Sequence, residues 1–346
     1  MWLRDFHFDG LRLDAVHAIC DFSAQPFLEQ LKLEVEDLSA KLGHPLFLIP
    51  ESDLNDPRLL WPRERGGFNL DAQWSDDFHH ALHTVLTGEK NGYYSDFGSL
   101  EDLAKALSHA YVYDGRFSKH RRRRHGRPAE GLNGHRFLAY VQNHDQIGNR
   151  AQGERSSRLM SAGRLKIGAA LVLTLPFVPM LFQGEEWGAS TPFLFFTDHQ
   201  DPELARAVAE GRCREFAAFN WNSADIPHPQ APETFERSKL NWSEVTQPPH
   251  KALLDWHQQL IRLRHREPAL SDGRMDLVKS RFDESARWLV FERQEISVVC
   301  NFAKDSRHIP LRPQKHKILT ASTAGVISGE GSLFLPSESV AILKES

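Results

Sequence analysis

The stretch Asp9–Ile19 reads DGLRLDAVHAI. A short strand-like run, Gly10 to Leu13, delivers the chain to a carboxylate, Asp14. Four further runs share this design: Leu46 to Ile49 before Pro50 and Glu51, Asn69 and Leu70 before Asp71, Phe137 to Val141 before QNHD and Asp145, and Pro179 to Phe182 before QGEE. Each reads as a buried strand with polar groups at its C-terminal end. Helix-like stretches lie between them: Pro26 to Leu42, Asp76 to Leu86, Leu100 to Ser108 and Ser156 to Leu173. Strand–helix–strand alternation predicts an α/β fold with a parallel sheet. Polar residues gathered at strand C-termini are the pattern of a (β/α)8 TIM-barrel active face.

Outward from these runs, Tyr111 to His135, which carries KHRRRRHGR, and Gly188 to Trp242, rich in Pro, Asp and Phe, read as long loops. A helix over Ala252 to Arg266 stops at Glu267-Pro268. From about Met275 the segments MDLVKS, RWLVFERQEISVVCNF and SVAIL alternate or are β-rich, which predicts a small antiparallel β domain. The expected division is a barrel portion at 1–268 and a β domain at 269–346. The 346 residues contain 42 Lys+Arg and 46 Asp+Glu, net −4, so no single-sign field points to nucleic acid or an anionic membrane. The 3 cysteines are widely spaced and odd in number, which argues against a disulfide framework. MWLRDFHFDG has no secretory pattern, and the apolar stretch Ile167 to Phe182 holds two prolines and is short for a membrane span. A cytoplasmic location is the expectation.

Residues two apart on a strand face the same side, so Arg12 and Asp14 point together into the barrel mouth. A guanidinium keeps its neighbouring carboxylate ionised, which suits a nucleophile; taken alone, the pair equally reads as a structural ion pair. The apolar run before Glu51 would desolvate its base and let it hold a proton. His144 and Asp145 directly follow a strand and could hydrogen-bond a polar ligand. Carboxylates at the ends of three strands are the apparatus of glycoside hydrolysis, one ionised, one protonated and a third stabilising an oxocarbenium-like transition state. Trp74, Tyr93, Tyr94 and Phe97 could stack on sugar rings. His79 and His83 stand at i, i+4 but lack the glutamate of an H-E-x-x-H motif, so no metal and no other cofactor is expected. The Arg121 to Arg124 run reads as a solvated loop.

DGLRLDAVHAI, ESDLNDPR and QNHDQIGNR resemble the nucleophile, acid and stabiliser motifs of the α-amylase superfamily, glycoside hydrolase family 13. GGFNLDAQWSDDFHHALHTVLTGE, GYYSDFG, PMLFQGEEWGASTPFLFFTDH and SKLNW resemble its trehalose-releasing branch. That resemblance implies a retaining hydrolase in trehalose biosynthesis acting on an α-1,4-glucan ending in a trehalosyl unit, maltooligosyltrehalose. It implies Asp14 as nucleophile, Glu51 as acid and Asp145 as stabiliser. Arg12 and His144 would then contact the central sugar, with His17, Asp53 and Trp74 on the leaving-group side. Two alternatives stand beside it: a chain that binds α-glucan without turning it over, and a related α-glucan enzyme such as a branching enzyme. A barrel takes about 250 residues, yet only five strands can be counted. The expectation is therefore an N-terminally truncated barrel, about strands 4 to 8. It would lack the superfamily's early Asn-His motif and have two open sheet edges that invite aggregation.

Overall fold

The computed structural model describes residues 1–217 and 226–345. Seven strands precede the C-terminal sheets: β1 (Gly10–Leu13), β2 (Phe47–Pro50), β3 (Gln73–Trp74), a hairpin of β4 (Asp114–Ser118) and β5 (Arg123–Gly126), β6 (Phe137–Ala139) and β7 (Val178–Pro179). β1 pairs parallel with β2, and β3, β6 and β7 form a second parallel run in that order. Asp71 closes the seam between the runs: its N–H donates to Leu48 O at 3.0 Å and its carboxylate accepts from Leu48 N at 2.7 Å. The crossovers carry α1 (Phe27–Leu42) after β1, α2 (Asp76–Thr87) and α3 (Leu100–His109) after β3, and α4 (His144–Gly148), α5 (Ser156–Leu159) and α6 (Ala162–Thr174) after β6. Consecutive parallel strands with helical crossovers make an arc of a (β/α)8 barrel. After β7 come α7 (Pro202–Ala217), α8 (Pro232–Ser238), α9 (His250–Arg266) and α10 (Pro268–Ser271).

Local chemistry explains these elements and four departures from the sequence expectation. α1 ends where Gly43 takes φ 73°, a left-handed cap that glycine adopts without a Cβ penalty. The third strand does not lie at Asn69 and Leu70. Asn69 has φ 58°, and Asp71 is drawn aside by Lys32 Nζ, 2.6 and 2.7 Å from its two oxygens, so the ladder starts at Gln73. The helix expected over Ser156 to Leu173 is two helices, because the Ser161 hydroxyl accepts from Arg164 N at 3.2 Å and starts α6 afresh. The expected loop Gly188 to Trp242 holds α7 and α8, each with Pro at its first residue, where a missing N–H costs nothing. The basic stretch folds as the β4–β5 hairpin.

The C-terminal part comprises β8 (Val278–Asp283), β9 (Trp288–Arg293), β10 (Ile296–Asn301), β11 (Arg307–Pro310), β12 (His316–Ala321), β13 (Ile327–Gly329), β14 (Ser332–Leu335) and β15 (Ser339–Glu345). They form two antiparallel sheets, ordered β12-β15-β10-β9-β8 and β11-β14-β13. Alternation gives the larger sheet two apolar faces. Val290, Val299, Ala341 and Leu343 pack against Ile309, Leu333 and Leu335 of the smaller sheet. Leu289, Phe291, Val298, Cys300, Val340 and Ile342 join the core beneath the barrel helices. Arg293, 2% exposed, donates to Thr174 O at 2.8 Å and Leu270 O at 3.0 Å. Arg264 donates to the carbonyls of Leu173, Leu175 and Phe177. The two arginines satisfy carbonyls that the end of α6 leaves without helical partners.

β1 and β7 each have one strand neighbour among the described residues. Trp2, Phe6, Phe8 and Phe22 of the first 22 residues are exposed, Phe22 at 97%. No helix among the described residues is long and apolar enough to cross a membrane. The three cysteines are free thiols.

Candidate active site

Three strand ends converge on Arg12. Its Nη1 lies 2.6 Å from Asp14 Oδ1, and its Nη2 lies 3.7 Å from Glu51 Oε2 and 3.8 Å from Asp145 Oδ2. Asp14 follows β1 and is 77% exposed, open to a ligand in the mouth. Ala15 next to it has φ 41°, a conformation that is costly for a residue with a Cβ. The twist aims the Ala15 N–H at Glu51 Oε2, 2.7 Å away. Val16 N then donates to Glu51 O at 3.1 Å, and Glu51 N to Leu13 O at 2.9 Å. Nucleophile and acid candidates are thus held by one continuous ladder. Pro50, the last residue of β2, does not interrupt it.

Asp145 is set by a capping box at the start of α4. The Asn143 side chain accepts from Asp145 N at 2.8 Å and Gln146 N at 3.3 Å, and Gln146 accepts from Asn143 N at 2.8 Å. His144 Nε2 is 3.4 Å from Asp145 Oδ2, and both side chains are nearly half exposed. Trp74 is buried: the Arg12 guanidinium lies 4.7 Å over its ring, and Tyr140 and His144 meet it edge-on. Its structural place is a wall that seats Arg12.

Asp53, two residues beyond Glu51, accepts from Arg121 Nη2 at 2.7 Å and lies 4.0 Å from His17 Nδ1. Burial pulls its pKa up, but the Arg121 bond and the nearby cations outweigh it and hold the carboxyl below the usual range. Sequence reasoning missed Arg121, Asp76 and Tyr140. Tyr140, the residue directly after β6, donates its hydroxyl to Asp76. Burial pushes Asp76 up to about 7; the Tyr140 bond opposes this and the charge of Glu51 adds to it. The signal was the doubled aspartate Asp76-Asp77 directly after β3.

The aromatic cluster is not a sugar platform throughout. Tyr94 and Phe97 are 7% and 4% exposed and pack on the histidine face of α2; only Tyr93 reaches the surface. His79 Nδ1 donates to Val141 O at 2.8 Å, and its Nε2 meets Tyr94 OH at 2.9 Å. His83 bonds Glu89 at 2.7 Å. Burial holds the His79 pKa down, so the ring is neutral and structural.

Beyond β7, the QGEE motif puts Glu185 in the interior, 6% exposed, with Oε1 lacking a partner among the described residues. Burial pushes it up to about 8, against the Phe182 N–H. Folded protein therefore retains a proton that unfolded chain releases near pH 4.5. Folding takes up that proton, and stability falls as pH rises from about 5 to about 8. Melting temperatures at pH 5, 6.5 and 8 are expected to decline in the native sequence and to decline less in Glu185→Gln. Parallel declines in the two proteins would contradict a protonated Glu185.

Residues 277–342 match a domain of unknown function, DUF3459. The chain is 48% identical over 347 residues to malto-oligosyltrehalose trehalohydrolase of Rhizobium sp. (strain M-11), covering 100% of this chain and 58% of that protein. It is 46% identical over 345 residues to the enzyme of that name from Mycobacterium tuberculosis, covering 99% and 59%. The crystal structure of a putative alpha amylase from Salmonella typhimurium superposes with TM-score 0.86 at 36% identity, covering 99% of this chain and 58% of that one. A pullulanase in complex with maltotetraose, at 13% identity and TM-score 0.63, shares the fold alone. The chain spans just under three-fifths of the length of these trehalohydrolases.

Proposed function

We propose that this chain, a homologue of the malto-oligosyltrehalose trehalohydrolases with an α-amylase-family glycosidase fold, hydrolyses the α-1,4 bond beside the terminal trehalosyl unit of maltooligosyltrehalose. Asp14 attacks the anomeric carbon of the glucose preceding trehalose. Glu51 gives its proton to the glycosidic oxygen as that bond breaks, and trehalose leaves. A water then gives its proton to Glu51 and attacks the glycosyl-enzyme, freeing Asp14 and restoring the α configuration. Asp145 and His144 hold the distorted central sugar. The single positive charge of Arg12 offsets part of the negative charge of the carboxylates and keeps Asp14, at 2.6 Å, ionised, and Trp74 seats Arg12. His17 and Asp53 face the departing trehalose. The free cysteines fit a reducing cytoplasm.

The observation that carries this reading is the single guanidinium of Arg12 meeting all three carboxylates at 2.6, 3.7 and 3.8 Å. Shared contact with one guanidinium gathers Asp14 and Glu51 at one place in the mouth, and the retaining mechanism calls for two carboxyls roughly 5–5.5 Å apart. Every carboxylate assigned a role lies within this chain. The test is incubation of the full chain with maltotriosyltrehalose: trehalose and maltotriose are the expected products. Binding of the substrate with no trehalose released would favour the glucan-binding alternative, and transfer to longer glucans would favour a branching activity.

A further inference from the structure

Beyond β7 stands a pair of tryptophans that the glycosidase site does not use. Trp187 is 3% exposed, while Trp242 of the SKLNW stretch is 69% exposed. Their rings meet with centroids 5.1 Å apart and a 41° tilt. The segment that carries Trp242 is fixed. Asn241 Oδ1 accepts from Ser243 N at 3.2 Å, and Glu244 Oε2 accepts from Ser190 N at 3.1 Å. Single exposed apolar side chains are ordinary; this one stands beside a cavity. A space of about 270 Å³ opens at the N-terminal ends of α6 and α9, with Trp187 and Ser190 in its wall. In an arc of β/α units those helix ends lie at the carboxyl ends of the strands, the face that carries Asp14, Glu51 and Asp145.

Met160, Leu165 and Leu253 make the cavity apolar. Gly188, at φ +65°, keeps it open: a Cβ there would stand 3.0 Å from Leu253 Cδ2 and 3.6 Å from Ser157 Cβ. Two polar groups complete the wall. The buried Trp187 indole N–H has no partner among the described residues. His250 Nδ1 donates to Trp187 O at 2.9 Å, so in the neutral ring Nε2 is left as an acceptor. Arg158, exposed at the rim, is the one permanent charge among the described lining residues, so the cavity does not gather the several cations of a phosphate site. An apolar wall with one donor and one acceptor suits a single sugar unit. Its hydroxyls both donate and accept, and its C–H face packs on an aromatic ring such as Trp242.

We propose that Trp242 and this cavity form a second, non-catalytic α-glucan-binding site: one glucosyl unit stacks on Trp242 and sets its hydroxyls on Trp187 N–H and His250 Nε2. A long glucan tethered there presents its trehalosyl end to the mouth at raised local concentration. The inference takes its ligand class from the glycosidase reading above, and a binding measurement separates the two. In native gels containing amylopectin the full chain is expected to be retarded. Trp242→Ala should weaken that affinity by about tenfold, the loss of roughly 1.4 kcal/mol. It should lower kcat/KM on a long maltooligosyltrehalose by a similar factor and leave kcat/KM on maltotriosyltrehalose unchanged. Trp242→Phe should recover part of both. Trp2→Ala, which removes an exposed tryptophan outside the cavity, should match the native chain. A native chain that amylopectin does not retard, or a folded Trp242→Ala protein retarded like the native one, overturns the proposal; so does an equal loss on the long and the short substrate. A native chain that is retarded but releases no trehalose from either substrate instead overturns the glycosidase reading, and the gel series still decides the role of Trp242.

Discussion

Replacing Asp14 by Asn is expected to lower kcat on maltotriosyltrehalose by at least about a thousandfold, the scale seen when a covalent nucleophile is removed. An amide nitrogen or oxygen cannot form a stable ester with the anomeric carbon, so the double displacement stops at its first step. Asp14 is 77% exposed and follows β1 instead of filling the core. The variant should therefore melt within the small range typical of surface changes, roughly ±0.5 kcal/mol. Lost turnover with unchanged stability and retained substrate binding is the signature of a nucleophile. Turnover within tenfold of the native chain would return Asp14 to a structural partner of Arg12.

Replacing Asp77 by Ala is expected to have the largest effect on stability. Asp77 is 4% exposed, and its Oδ2 accepts from Asn55 Nδ2, Val112 N and Tyr113 N, each at 2.7 Å. Alanine strands three buried donors, each costing about 1–3 kcal/mol. A total of about 4 kcal/mol lowers Tm by roughly 10 °C in a chain of this size. Burial pushes the Asp77 pKa up to about 6, opposed by those same donors, so the ionised acceptor prevails above that pH and the melt belongs near pH 7.5. Asn55 lies on the β2 loop with Asp53, and Tyr113 leads into the hairpin that carries Arg121. The substitution therefore also loosens the β2 loop and the hairpin, while Asp77→Asn, which keeps one acceptor, should recover part of the stability. A Tm within 2 °C of the native chain would contradict this buried hub.

Much of the arc was legible because its strands are short and their ends polar. Gly10–Leu13 is found where DGLRLD places it, and β2 is displaced by one residue from Leu46–Ile49. The third strand was not legible, because its residues are buried by tertiary hydrogen bonds and not by apolar pattern. Gln73, fully buried, donates to Ser52 O at 2.8 Å and accepts from Tyr111 OH at 2.8 Å. Only the folded neighbours make a glutamine a strand residue there. Asp14, Glu51 and Asp145 could be picked out by their positions after strands. Arg121 could not: it lies 68 residues from Asp53, inside a run whose other arginines are exposed, and only the hairpin's closure joins the two. The histidines of α2 carried a metal-like spacing, but Tyr94, Val141 and Glu89 take up their nitrogens, a partnership no local pattern shows.

The most direct test of the three-carboxylate site is proton NMR of the full chain acting on maltotriosyltrehalose, followed before the product anomers equilibrate. Trehalose together with maltotriose appearing first as the α anomer is the result expected of attack by Asp14. The β anomer appearing first, or no trehalose at all, would contradict it.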